Sequence, residues 1–252
     1  VKLFRKIQRR LSCVFIYEVS KKKQLKKICV KKYRDLLRNS VIDKEYYNTE
    51  KIYNILLTKN IFICPEPLFF DAENGLIVTC FLDKFYPYED KLNPISSLYN
   101  HKNANICHDI GANLAQFHGQ TAEEKLYINE FYKSDLTLYL THRADLILSF
   151  LKKEYNKKMC CSFEKNVRSN IETIVKDKLF LDQVFIHSDF TPANVLLSGD
   201  KYGLIDYYDS KYDNKYMDIA CFINYLDMLS MNYSFYSNKG IAEMKKGFIK
   251  GY

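Results

Sequence analysis

His187, Asp189 and Asn194 stand in the run FIHSDFTPANVLL, and Asp206 follows in GLIDYYDS. Apolar, strand-like residues flank both groups, so the polar side chains are expected to project from strand ends into one cleft. Phosphoryl transfer from ATP needs such a set. One carboxylate receives a hydroxyl proton, while an amide and a second carboxylate hold magnesium against the phosphates.

The elements that must position these residues fall into two groups. The first 82 residues read as strand-rich, with strands over 3–7, 13–19 and 27–33 joined by polar turns into an antiparallel meander. A helix capped by Asp43 runs to about residue 59, with Ile52, Ile55 and Leu56 on one apolar face. The segments PLFFDA and LIVTCFL, separated by Glu73-Asn74-Gly75, form a hairpin and complete a five-stranded sheet. Residues 83–96, with Pro87 and Pro94, read as a connector. Beyond it, Ile106, Ile110, Leu114 and Phe117 recur at helical spacing up to His118-Gly119, and further helices are expected over 136–155, 163–178 and 217–229. Short strands at 184–186 and 194–197 bracket the polar loop, and Gly199-Asp200 and Gly203 lead into Leu204, Ile205 and Asp206.

A hydrophobic share of 47% with 27% charged residues excludes a mainly disordered chain. The net charge of +8 is concentrated: residues 1–33 carry twelve Lys or Arg against Glu18, which is +11, leaving −3 on the rest. Solvated lysines on strand faces account for this, with attraction of nucleotide phosphates, an anionic membrane surface or an acidic glycan as the functional alternative. The eight cysteines include no Cys-x-x-Cys pair and several lie in apolar runs, so reduced thiols in a cytoplasmic protein are expected rather than zinc or disulfides. No run approaches the roughly 18 apolar residues of a membrane span, and nucleic acid is not an expected partner.

A small sheet region, a connector and a helical region bearing His-x-Asp-x4-Asn, with an Asp at the end of the next strand, resemble the protein-kinase-like fold. Within it the chain is similar to the aminoglycoside phosphotransferase and choline kinase superfamily. The resemblance runs from about residue 12 to the end and is specific over 184–222. It implies an α+β, bilobal architecture: a nucleotide-binding lobe over 1–82 with a five-stranded antiparallel sheet and one helix, a hinge over 83–96, and a mainly helical catalytic and acceptor-binding lobe over 97–252.

The resemblance also implies roles. Asp189 is the catalytic base, Asn194 and Asp206 bind magnesium, and His187 is a structural member of the loop. Lys31, in ICVKKY, contacts the α and β phosphates. Its acidic partner is expected at Glu50 in NTEKIYNILL, with Glu45 as the second choice. Asp218 in YMDIACFINYL braces the catalytic loop through backbone hydrogen bonds, and His118 is a packing residue. No glycine occurs before Gly75, so the turn between the first two strands lacks the usual Gly-rich signature, and Ser12 is left to offer its hydroxyl and N–H to a phosphate.

Ser188 replaces the Arg of typical protein kinases, and only eleven residues separate Asp206 from Asp218, too few for a long activation segment. The expected reaction is transfer of the γ-phosphate of ATP, or alternatively GTP, to a hydroxyl of a small-molecule or sugar acceptor. Asp209, Asp213, Tyr207, Tyr208, Tyr212 and Tyr216 follow the metal-binding Asp and are candidates to meet a polycation, cage a choline-like cation or stack on a sugar. The alternative reading is a catalytically inactive kinase-like nucleotide-binding or scaffold protein.

Overall fold

Alternation of lysines with β-branched and aromatic residues shapes the first elements of the computed structural model. It describes residues 1–8, 12–21, 24–34, 39–59, 61–92, 101–123, 157–176, 183–232 and 238–252, together with 141, 144, 145, 148, 149 and 152. Strands β1 (Lys2–Gln8), β2 (Ser12–Lys21) and β3 (Gln24–Tyr33) form an antiparallel meander. Helix α1 (Asn39–Leu56) and the short β4 (Phe62–Ile63) precede the hairpin of β5 (Pro67–Asp71) and β6 (Leu76–Cys80). Gly75, at φ 68°, takes the left-handed turn of that hairpin, a backbone region open to glycine at no steric cost. Strand β6 pairs with β3, and the five-stranded order is β1-β2-β3-β6-β5.

The expected meander, hairpin and five-stranded sheet are therefore present. Helix α1 starts four residues ahead of Asp43, because Ile42 is fully buried against Tyr33 and Ile77 and this contact draws the helix back past the carboxylate.

After β7 (Tyr86–Pro87) and the one-turn α2 (Tyr88–Lys91) the chain is mainly helical: α3 (His101–Glu123), α4 (Lys157–Lys176), α5 (Tyr216–Asn232) and α6 (Asn238–Gly251). Strands β8 (Gln183–Ile186), β9 (Val195–Ser198), β10 (Lys201–Leu204) and β11 (Lys211–Asn214) hold the polar loop. Strand β9 pairs with β10 and β7, β10 pairs in parallel with β4, and β8 pairs with β11. The helix expected over 136–155 falls largely outside the described residues.

One continuous core fills this second region. Phe117 of α3, Phe185 of β8, Leu197 of β9, Phe222 of α5 and Phe248 of α6 meet there, joined by Ile52, Ile55 and Leu56 from the end of α1. Helix α1 thus packs its first half under the five-stranded sheet and its last turns into the larger core. Through it the sheet that carries Lys31 is tied to the strands that carry Asp189 and Asp206.

Candidate active site

Strand β8 delivers the polar loop and β9 takes it away, so His187 to Asn194 span the gap between two buried strands. Ser188 and Asp206 both adopt left-handed backbone, at φ 69° and 70°. For residues with a Cβ this is costly, and it is tolerated where surrounding contacts over-determine the turn. Here Asp218, fully buried in the first turn of α5, supplies them: its Oδ2 accepts the His187 N–H at 2.8 Å and its Oδ1 the Ser188 N–H at 2.7 Å.

His187 is fully buried and spans the segments that carry Asp189 and Asp206. Its Nε2–H donates to the Ile205 carbonyl at 2.9 Å, so its Nδ1 is left to accept the Asp189 N–H at 3.3 Å. Both ring nitrogens are thus engaged by backbone groups. The Ser210 hydroxyl donates to the His187 carbonyl at 3.2 Å.

Asn194 uses both hydrogens of its amide nitrogen on one neighbour, donating to the Asp189 carbonyl at 2.9 Å and to Asp189 Oδ2 at 2.8 Å. Its Oδ1 is the amide atom left to act as a ligand. Burial pushes the Asp189 carboxyl above the ordinary carboxylate range, Asp206 and Asp209 add to this, and the hydrogen bond from Asn194 opposes it.

From the other side comes Lys31. Its Nζ lies 2.8 Å from Asp206 Oδ1 and 2.8 Å and 3.0 Å from the two oxygens of Glu45. Burial alone would depress this ammonium, but Glu45 and Asp206 outweigh it and hold it well above the usual lysine range. Tyr33 donates its hydroxyl to the second oxygen of Glu45.

The acidic partner of Lys31 is therefore Glu45, which corrects the expectation of Glu50. Glu45 shares the inward stripe of α1 with Ile42, Thr49, Ile52 and Leu56, whereas Glu50 lies on the exposed side. The spacing of that stripe was the available signal. Ser12 is 4% exposed and sits opposite Tyr33 at the start of β2, and the turn residues 9–11 before it lie outside the described residues.

Two contributors escaped the sequence reading. Asn48, one turn after Glu45, donates to the Tyr207 and Ser210 carbonyls at 3.1 Å and 2.9 Å, and so pins α1 to the segment after Asp206. Lys51 places its ammonium over the Phe185 and Tyr212 rings. Of the tyrosines expected near the acceptor, Tyr207 is buried in the core and Tyr212 is packed edge-on against Phe185.

A hard-oxygen pair of this kind suits magnesium. Among the described residues no group of three or more His, Cys, Asp or Glu could hold a metal, and magnesium characteristically uses one or two protein oxygens with nucleotide phosphates supplying others. Asp206 and the Asn194 Oδ1 match that requirement.

Residues 50–233 match the phosphotransferase enzyme family. The chain belongs to this family and is a phosphotransferase. Solved structures agree on the fold. The choline kinase from Cryptosporidium parvum Iowa II superposes with a TM-score of 0.60 at 14% identity, over 100% of this chain and 72% of that one. Amicoumacin kinase hAmiN, in complex with AMP-PNP, Ca2+ and Ami, gives 0.57 at 14% identity over 99% and 71%. The streptomycin-ATP-APH(2″)-IIa ternary complex gives 0.56 at 14% identity over 98% and 81%. All three share the kinase-like arrangement of an N-terminal antiparallel sheet and a helical C-terminal portion. A comparison with curated protein sequences gives no significant match.

Proposed function

We propose that the chain transfers the γ-phosphate of ATP to a hydroxyl of a small-molecule or sugar acceptor, with Asp189 as the base. The observation that carries this reading is convergence: Lys31 Nζ reaches Asp206 Oδ1 at 2.8 Å across 175 positions of sequence, and Asn194 fixes Asp189 at 2.8 Å in the same cleft. ATP as donor is supported by the ATP and AMP-PNP held in two of the structural neighbours.

Each residue has a distinct task. Asn194 occupies Asp189 Oδ2, which leaves Oδ1 to orient the acceptor hydroxyl and take its proton as the oxygen bonds to the γ-phosphorus. The bond from the γ-phosphorus to the bridging oxygen then breaks and ADP leaves. Lys31 is held charged and in place by Glu45 to meet the phosphates, so catalysis rests on positioning and charge. Magnesium, held by Asp206 and Asn194, would neutralise the phosphate oxygens.

Asp209 is exposed and close enough to Asp189 to raise its carboxyl. Three carboxylates at the cleft favour a neutral or cationic acceptor over an anionic one. Solved kinases of aminoglycosides, ethanolamine and choline share the fold, in line with such acceptors. The free thiols of Cys64, Cys107 and Cys221 support a reducing compartment, the cytoplasm. Among the described residues no helix is long and apolar enough to cross a membrane.

The test is coupled ADP release with magnesium and ATP or GTP, over pooled aminoglycosides, choline-like amino alcohols and sugars. Acceptor-dependent release that stops when the metal is chelated is expected. Nucleotide binding with no acceptor-dependent release would move the reading to an inactive kinase-like scaffold.

A further inference from the structure

Helices α3 and α6 touch backbone to backbone. A Cβ added at Gly111 would lie 2.2 Å from the Phe248 carbonyl oxygen, one at Gly247 2.4 Å from the Ala104 oxygen, and one at Gly251 1.9 Å from the His108 oxygen. Three glycines therefore permit an approach that any side chain would block. The approach has a polar consequence at its end, where Tyr252 continues α6 by donating its N–H to the Phe248 carbonyl at 3.0 Å.

Tyr252 places its hydroxyl 3.0 Å from His118 Nδ1, and the two rings meet edge-to-face with centroids 5.7 Å apart. His118 is 2% exposed, and its Nε2 lies 3.1 Å from Asp218 Oδ2. A carboxylate can only accept, so Nε2–H donates to Asp218, and the Tyr252 hydroxyl, which can donate or accept, engages the ring at Nδ1. Asp218 Oδ2 is the same atom that accepts the His187 N–H. A continuous series of hydrogen bonds therefore links Tyr252 through His118 to Asp218, whose carboxylate accepts both from the imidazole and from the backbone before Asp189.

We propose that Tyr252 is a positioning residue for the catalytic loop, acting through His118 and Asp218. Without the Tyr252 hydroxyl the imidazole loses its partner at Nδ1, and its orientation is held from the Asp218 side alone. Asp218 then holds the left-handed His187-Ser188 turn less firmly. The end of α6 so becomes part of the apparatus that aims Asp189, acting through side chains rather than on the reacting groups. His118 is correspondingly more than the packing residue the sequence suggests.

The proposal rests on the proposed function only in taking this loop as catalytic, and its first readout needs no turnover. Tyr252→Phe removes one oxygen and keeps the ring. Amide exchange followed by NMR in the nucleotide-free chain is expected to quicken at His187 and Ser188 by about fivefold to tenfold, the scale of one net hydrogen bond, with the β2 and β3 amides unchanged. Under magnesium and ATP, the maximal rate of ADP release should fall by a similar factor while the KM for ATP stays within about twofold. His118→Gln should reproduce both effects, and the double variant should add nothing further. Unchanged loop exchange in Tyr252→Phe, or losses that multiply in the double variant, would overturn the relay. A native chain with no ADP release would sink the proposed function, yet the exchange result would still decide the relay.

Discussion

The loop around Asp189 and the sheet that carries Lys31 reach the same cleft with opposite construction. In the loop, buried His187, Asn194, Ser210 and Asp218 bond backbone and side chain at 2.7–3.3 Å. The sheet has its edge strand in solvent: Leu3 and Phe4 of β1 are 47% and 55% exposed, and contacts such as the Lys27 ammonium over the Phe4 ring replace burial. Geometry is fixed most closely around Asp189, the proposed base. The sheet instead delivers a charge, and its placement depends on α1 through Glu45.

Breaking the loop's side of this contrast should cost most. Asp206→Asn removes the carboxylate that meets Lys31 and would hold magnesium, so magnesium-dependent turnover is expected to fall about 10²-fold to 10³-fold, as for loss of a preorganised electrostatic group. Steady-state ADP release at saturating ATP checks this. Against it, Glu45→Ala leaves Lys31 partly buried with half its ion pair gone, which should destabilise the fold by about 3 kcal/mol and raise the KM for ATP. Glu50→Ala is the control, with an expected change within about 0.5 kcal/mol in urea melts. Equal effects of the two would remove Glu45 from the site.

Smaller changes sharpen the picture of what holds the loop. Gly111→Ala should cost about 1–3 kcal/mol, because its Cβ meets the backbone of α6 rather than a movable side chain. Thermal melting checks the sign. Ser188→Gly should have the opposite sign. It relieves a left-handed residue, worth about 1–2 kcal/mol, and deletes a hydroxyl that is buried without a partner among the described residues. The added freedom of the unfolded chain offsets about 0.4–1 kcal/mol of this. A net gain near 1 kcal/mol is expected, or a rise of about 2–4 °C in Tm.

The same contrast explains what the sequence made legible. Local signals carried the site: His187, Asp189 and Asn194 lie within eight residues, and Asp206 ends the next strand, so the strand-loop-strand pattern already placed them together. The meander and the Asn74-Gly75 hairpin were equally local, since alternation and turn chemistry specify them. The Glu45 pairing was harder, because two glutamates lie on one helix and only the burial of Ile42, Thr49 and Ile52 selects between them. Strand β11 was missed. KYDN has no apolar run, and it becomes a strand by pairing with buried β8. Asn48 and Tyr252 act across 159 and 134 positions of sequence, on a carbonyl and an imidazole that only the folded chain brings near.

The central claim is that Asp189 performs the proton-accepting step while the rest of the site binds nucleotide. It is tested most directly by comparing native and Asp189→Ala chains in acceptor-dependent ADP release, with ATP affinity measured in parallel. The account predicts a loss of about 10²-fold to 10⁴-fold in rate with ATP affinity within about twofold. Equal rates in the two chains, or a loss of ATP binding that accounts for the whole effect, would contradict it.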